Sequence, residues 1–226
     1  MLKLTLPTYD TILPISGKKV KYRPFVTREQ KILLLAQEEK NQDAMIRAVN
    51  QIISECTFNV CSIDNLSKPD AEYLFLQLRN KSMGEGVEVN GICRECSGKT
   101  RLLLNLDDIK VSNELKGQTI QLADDTWITL KLPSMRDSMS VESGQGDLAL
   151  ALSLDSLIQG ESSTNASDYT IEQRVEFINS LTQLQLGLFS EFLESFPEIT
   201  FTHEYECKHC QVKNTIELNS LSDFFL

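Results

Sequence analysis

Six cysteines and only two histidines in 226 residues set the chemistry open to this chain. Four of the cysteines form two CxxC units, Cys93-Arg94-Glu95-Cys96 and Cys207-Lys208-His209-Cys210. Their surroundings match. Residues 87–92 before the first unit and 99–104 after it are extended and β-favouring, as are 200–206 and 213–218 around the second. Both units therefore read as strand, tight turn, strand, with Asn105 and Asn219 at equivalent places after each. Two sulfurs so spaced at a hairpin tip lie on one side of the turn, and two such knuckles supply four thiolates for a tetrahedral zinc. A set of four thiolate ligands leaves no open coordination position. The expected cofactor is one structural zinc per chain on Cys93, Cys96, Cys207 and Cys210, with Arg94, Lys99, Lys208 and Lys213 near enough to offset the thiolate charge.

Other readings of the same cysteines stay open. A thioredoxin-like redox pair needs its CxxC at a helix amino terminus, where the dipole lowers a thiol pKa, and neither unit precedes a helical pattern. Disulfides within each pair, or unligated thiols, are the remaining alternatives. Cys56 and Cys61 fall in an apolar run, where buried free thiols are expected. His203 and His209 read as surface residues of the ribbon.

The elements that must position the knuckles follow from periodicity. Residues 11–25 suggest a hairpin around Ser16-Gly17, closed by Pro24. Thr27 and Gln30 have capping-box spacing for a first helix, with Ile32, Leu33, Leu35 and Ala36 on its buried side. A second helix follows Asp43, and a third starts near Pro69 with Leu74, Phe75 and Leu78 inward. The stretch between the knuckles is too long for a plain loop. In it, residues 118–122 and 127–132 alternate like a hairpin around Ala123-Asp124-Asp125, with Trp127 as a local packing anchor. A helical stretch is expected after Pro133, and another from Asp147 through Leu157. Residues 160–168 read as an exposed loop. Thr170 and Gln173 cap a further helix, and a last one carries Leu184, Leu188, Phe192, Leu193 and Phe196 inward. On that helix Leu186 and Phe189 are the second face, free to dock another protein, as is the apolar tail Leu221–Leu226.

The expected fold class is α+β: a helical domain with short hairpins and a two-knuckle zinc-ribbon-like β element. The expected divisions are 1–86 (hairpin plus three helices), 87–106 with 198–226 (the ribbon-like element) and 107–197 (an inserted hairpin and helical region). A formal charge of −10, from 22 Lys+Arg against 32 Asp+Glu, opposes general phosphate-backbone binding. No phosphate loop, nucleophile elbow or paired-His protease motif occurs, so a non-enzyme is expected. The start lacks a signal-peptide pattern and no apolar run nears membrane-spanning length, which suggests residence in the cytoplasm.

Several stretches resemble the baseplate hub family of T-even-type contractile-tailed bacteriophages, which includes a hub subunit and a hub assembly catalyst. They are Leu6-Pro7-Thr8-Tyr9, Leu13-Pro14 with Ser16-Gly17-Lys18, Tyr22-Arg23-Pro24-Phe25 leading to Glu29, Gln51–Cys56, Asp64 and Leu74–Arg79. The resemblance is most specific over residues 6–104 and returns at the second CxxC. It implies a non-enzymatic structural or assembly protein with no catalytic residues. Its implied partners are other hub and tail proteins, the tape-measure protein among them, in the host cytoplasm during assembly and in the virion tail baseplate. A second reading is a zinc-ribbon adaptor contacting nucleic acid or a polymerase. A third is a thiol oxidoreductase.

Overall fold

A computed structural model describes residues 5–39, 41–106, 110–112, 119–142 and 144–218. The expectations for Asn219 and for the tail Leu221–Leu226 lie outside the described residues. The chain is mixed helix and sheet and divides into two compact units. Unit 1 takes Met1–Ser62, Pro69–Ser112 and Glu198–Leu226, and unit 2 takes Ile63–Lys68 and Asn113–Pro197.

Unit 1 opens with the antiparallel hairpin β1 (Tyr9–Ile12) and β2 (Lys19–Tyr22). Three helices follow: α1 (Thr27–Glu38), α2 (Gln42–Cys56) and α3 (Lys68–Met83). Backbone groups left over at the turns find side-chain partners across this layer, as buried polar groups must. The Asp70 carboxylate on α3 accepts the Ile15 and Ser16 N–H groups at 2.9 and 3.1 Å, and Ser82 Oγ accepts from Phe25 N at 2.8 Å. Arg23 N donates to the Cys56 carbonyl at the end of α2 (2.9 Å). Cys56 and Cys61 are buried free thiols, as the apolar pattern predicts, and burial pushes Cys56 up to about 12.

Two expectations for α1 need correction. The cap is Val26 rather than Thr27, and Glu29 in place of Gln30 reaches back, its Oε2 accepting from Val26 N at 2.6 Å. The shift lets the same fully buried carboxylate take a bidentate pair from Arg23, at 2.7 and 3.2 Å. Leu35, expected inward, is 60% exposed beside Leu34; Leu33 and Ala36 alone of this helix's apolar residues are fully buried.

After α3, β3 (Gly86–Ile92) pairs antiparallel with β4 (Lys99–Asn105). At the far end of the chain, β10 (Glu198–Glu206) pairs with β11 (Lys213–Leu218), and with the short β5 (Lys110–Ser112) on its other side. Alternation puts Val87, Val89 and Leu104 of one hairpin and Ile199, Phe201 and Leu218 of the other into one core, closed by Leu76 of α3.

Unit 2 is built on a four-stranded antiparallel sheet in order β6 (Thr119–Ala123), β7 (Thr126–Leu130), β8 (Leu154–Gln159), β9 (Ser162–Asn165). Two short helices, α4 (Met135–Ser140) and α5 (Gly146–Ser153), connect β7 to β8. A 3-10 turn at Ala166–Asp168 leads to α6 (Ile171–Asn179) and α7 (Gln183–Glu194). Three sequence expectations fail here. The helix from Asp147 stops at Ser153, and Leu154 to Gln159 form a strand paired with β7. The supposed loop 160–168 is the tip and return strand of the β8–β9 hairpin followed by the 3-10 turn. On α7 Phe192, Leu193 and Phe196 lie inward as expected, but the supposed docking face is core as well: Phe189 is fully buried and Leu186 packs beside it, whereas Leu184 and Leu188 are 87% and 40% exposed.

Candidate metal centre

Each knuckle is a strand–turn–strand in which local hydrogen bonds dictate the turn. Cys93 N donates to the Gly98 carbonyl and Ser97 N to the Cys93 carbonyl, both at 3.0 Å. The second knuckle repeats this with Cys207 N to Val212 O (3.0 Å) and Gln211 N to Cys207 O (2.9 Å). The residue after each second cysteine is left-handed, Ser97 at φ 54° and Gln211 at φ 62°. Neither CxxC opens a helix, so no helix dipole acts on these thiols.

The fold brings all four sequence-predicted cysteines together. Their sulfurs lie within 4.8 Å of one another, an arrangement able to hold a metal ion. Cys93 Sγ is 3.5 Å from Cys210 Sγ, and Cys96 Sγ is 3.6 Å from Cys207 Sγ. These contacts run between knuckles and are far longer than a disulfide's ~2.05 Å, so all four cysteines are free thiols. Cys93 and Cys207 are buried; Cys96 and Cys210 reach the surface.

Around the sulfurs the two hairpins make reciprocal contacts. Asn214, four residues past Cys210, accepts from Arg94 N at 3.1 Å. Thr100, four past Cys96, accepts from Lys208 N at 3.2 Å. The two knuckles thus clasp each other by an approximate two-fold rule. The symmetry breaks where space is tight: Tyr205, two before Cys207, lies over Gly91, two before Cys93, and a Cβ at Gly91 would sit 2.5 Å from the Tyr205 ring. Gly98 is likewise closed over, by His209. Further N–H groups point at sulfur: Asn214 Nδ2 to Cys93, Gly98 N to Cys96 and His209 N to Cys207, each at 3.4 Å.

Sequence reasoning missed Asn214 and Thr100. The signal was present in the matched spacing of polar residues four places after each CxxC. Arg94, Lys99, Lys208 and Lys213 are all exposed at this end of the hairpins. His209 is exposed and His203 half-buried, stacked on Phe201 at 6.3 Å.

The donors set the protonation pattern. The Cys96 N–H draws the Cys93 thiol down to about 6, against the opposing effect of desolvation. The Cys210 and His209 N–H groups lower Cys207. Cys210 also receives an N–H, from Val212, but its sulfur neighbours Cys96, Cys93 and Cys207, together with desolvation, push it up to about 12. At Cys96 the Gly98 N–H and Cys210 act downward, but Cys207, desolvation and Cys93 outweigh them and raise the thiol. Crowding thus holds the outer thiols Cys96 and Cys210 toward their protonated form, whereas a bound cation stabilises four thiolates together.

The fold and site define a mixed helix-and-sheet protein with a closed four-thiol cluster at the meeting of two matching hairpins. Among the described residues, no helix is long and apolar enough to cross a membrane. The family model for T4 bacteriophage base plate protein matches residues 6–226, and the chain belongs to that family. Membership points to a structural role in the phage base plate, among other tail proteins. No curated protein matches the chain, and neither does any solved structure.

Proposed function

We propose that this chain is a non-enzymatic protein of the baseplate hub that binds neighbouring hub or tail proteins and is braced internally by one zinc ion. The observation that carries the reading is the family match over residues 6–226. The hub assignment within that family draws on the amino-terminal motifs around Tyr22-Arg23-Pro24-Phe25 and Leu74–Arg79.

Cys93, Cys96, Cys207 and Cys210 are the proposed ligands. A tetrahedron with Zn–S near ~2.3 Å has sulfur–sulfur edges of about 3.8 Å, and the inter-knuckle distances of 3.5 and 3.6 Å support that fit. Zinc would supply a fixed link without redox chemistry or an open site, consistent with a scaffold. In this reading 87–106 and 198–226 act as a zinc-ribbon-like element, and 107–197 is an insertion between its halves.

Mass spectrometry of mature particles, set beside the intermediates that accumulate when the gene is removed, tests the role. Presence in particles marks a component, and absence with stalled hubs marks an assembly factor; complete tails without the protein refute both. Elemental analysis of freshly purified chain should return about one zinc under the four-thiolate stoichiometry. Iron in its place, or a metal-free chain of unchanged stability, overturns the zinc assignment.

The exposed Arg94, Lys99, Lys208 and Lys213 favour a second reading, an adaptor touching nucleic acid at the knuckles. Retention on DNA or RNA that fades with added salt supports it; no retention at low salt removes it.

A further inference from the structure

We propose that a pocket in unit 2 binds a protein segment presenting a large apolar side chain next to a carboxylate. The pocket lies among β8, β9 and α6, has a volume of about 270 Å³, and is walled by Leu154, Leu157, Ala166 and Phe177 with Tyr169 at its edge. An apolar cavity of roughly 150 Å³ suffices for benzene, so this one takes an aromatic ring with several atoms to spare. It is too small for the whole of a long acyl chain, which is why a single side chain is the fitting occupant.

One wall is cationic. Arg174 lines the pocket. Its Nε is buried without a hydrogen-bond partner, and its Nη1 reaches no nearer than 3.5 Å to the Ala151 carbonyl. Glu172 feels its charge through space, but among the described residues no ion pair satisfies it. In a chain with 32 acidic residues, a half-buried guanidinium left unpaired is conspicuous. Burying a charge is costly unless it is paired. The planar fork of arginine matches a carboxylate, so an incoming acid beside an apolar group satisfies both the wall and the cavity. This site is separate from the thiol cluster, and its failure would leave the base plate reading untouched.

The test is NMR titration of the full ¹⁵N-labelled chain, following the Arg174 Nε–H resonance. N-acetyl-tryptophan should move that resonance saturably. N-acetyl-tryptophanamide, with the same indole and no carboxylate, should bind about tenfold more weakly, as loss of one charge-assisted contact implies. Arg174→Met should erase the difference between the two probes while the rest of the spectrum stays folded. Thr164→Trp, which fills the pocket, should block both. Equal binding of the two probes, an unmoved Arg174 signal, or tighter binding of dodecanoate than of N-acetyl-tryptophan overturns the proposal.

Discussion

Asn214 offers the sharpest test of the proposed zinc brace, because one side chain serves both hairpins. It is 7% exposed, accepts from Arg94 N at 3.1 Å, and donates to Val212 O at 2.8 Å and to Cys93 Sγ at 3.4 Å. Asn214→Ala removes all three. Neutral hydrogen bonds are worth about 1 kcal/mol net and one to a charged acceptor about 1.5–3. Relaxation and water entry at the exposed Arg94 recover part of this, leaving a loss of about 2–3 kcal/mol, in line with a 10–100-fold drop in metal affinity for a lost outer partner. Thr100 stands at the equivalent place but makes one such contact, to Lys208 N. Thr100→Val should therefore weaken zinc by no more than about fivefold, the equivalent of ~1 kcal/mol. Asn214→Asp should be worse than alanine, since it places a negative charge beside the thiolates and cannot donate to sulfur. Competition for zinc against a chromophoric chelator at neutral pH measures all three variants. Zinc affinity in Asn214→Ala within twofold of the parent, or a Thr100→Val loss as large, would refute the clasp.

Other expected outcomes follow from features away from the sulfurs. Arg23 and the Val26 N–H hold the buried Glu29 carboxyl below its ordinary range, outweighing desolvation; its stabilisation is complete above the unfolded value of about 4.3 and fades as pH falls through the lower folded value. Glu29→Gln should accordingly melt below the parent at neutral pH, with the gap narrowing toward pH ~3; a constant gap contradicts the assignment. Gly91→Ala should cost about 1–3 kcal/mol by overpacking against Tyr205, and adding Tyr205→Ala should remove that clash, which thermal melting of the double variant checks. On α7, Phe189→Ala should cost about 3–5 kcal/mol and Leu184→Lys less than about 0.5; similar effects in denaturant melts would reverse the assigned faces.

The thiol cluster was legible because its information is local and repeated: each CxxC dictates its own turn, and the flanks alternate with strand period. The first three helices were legible from their start signals and the three- and four-residue spacing of their apolar residues, most plainly on α2, where Ile46, Val49, Ile52, Ile53 and Cys56 are all buried. Where an apolar run lacks a clear period, sequence alone has no arbiter. Leu148 to Leu157 reads equally as buried helix or buried strand. Only the pairing of Leu154 with Leu130, and the Thr129–Ser156 hydroxyl contact at 2.5 Å, turn its second half into β8. On α7, apolar residues surround the helix, so the choice of Phe189 over Leu184 as the buried face belongs to the sheet it covers. The cap of α1 moved by one residue because Glu29 answers to Arg23, a partner upstream of the helix. The Asn214 and Thr100 clasp escaped notice because each reaches a knuckle more than a hundred residues away.

Ser112 and Glu198 face each other as a pair in the β5–β10 ladder. Residues 113–197 thus leave the β5–β10 ladder and rejoin it through one doorway, the flanking Ser112 and Glu198 a strand-spacing apart. Lengthening such an excursion adds little closure entropy, so this is a point where mutation can add, trim or exchange material without retuning the hairpins that hold the doorway shut.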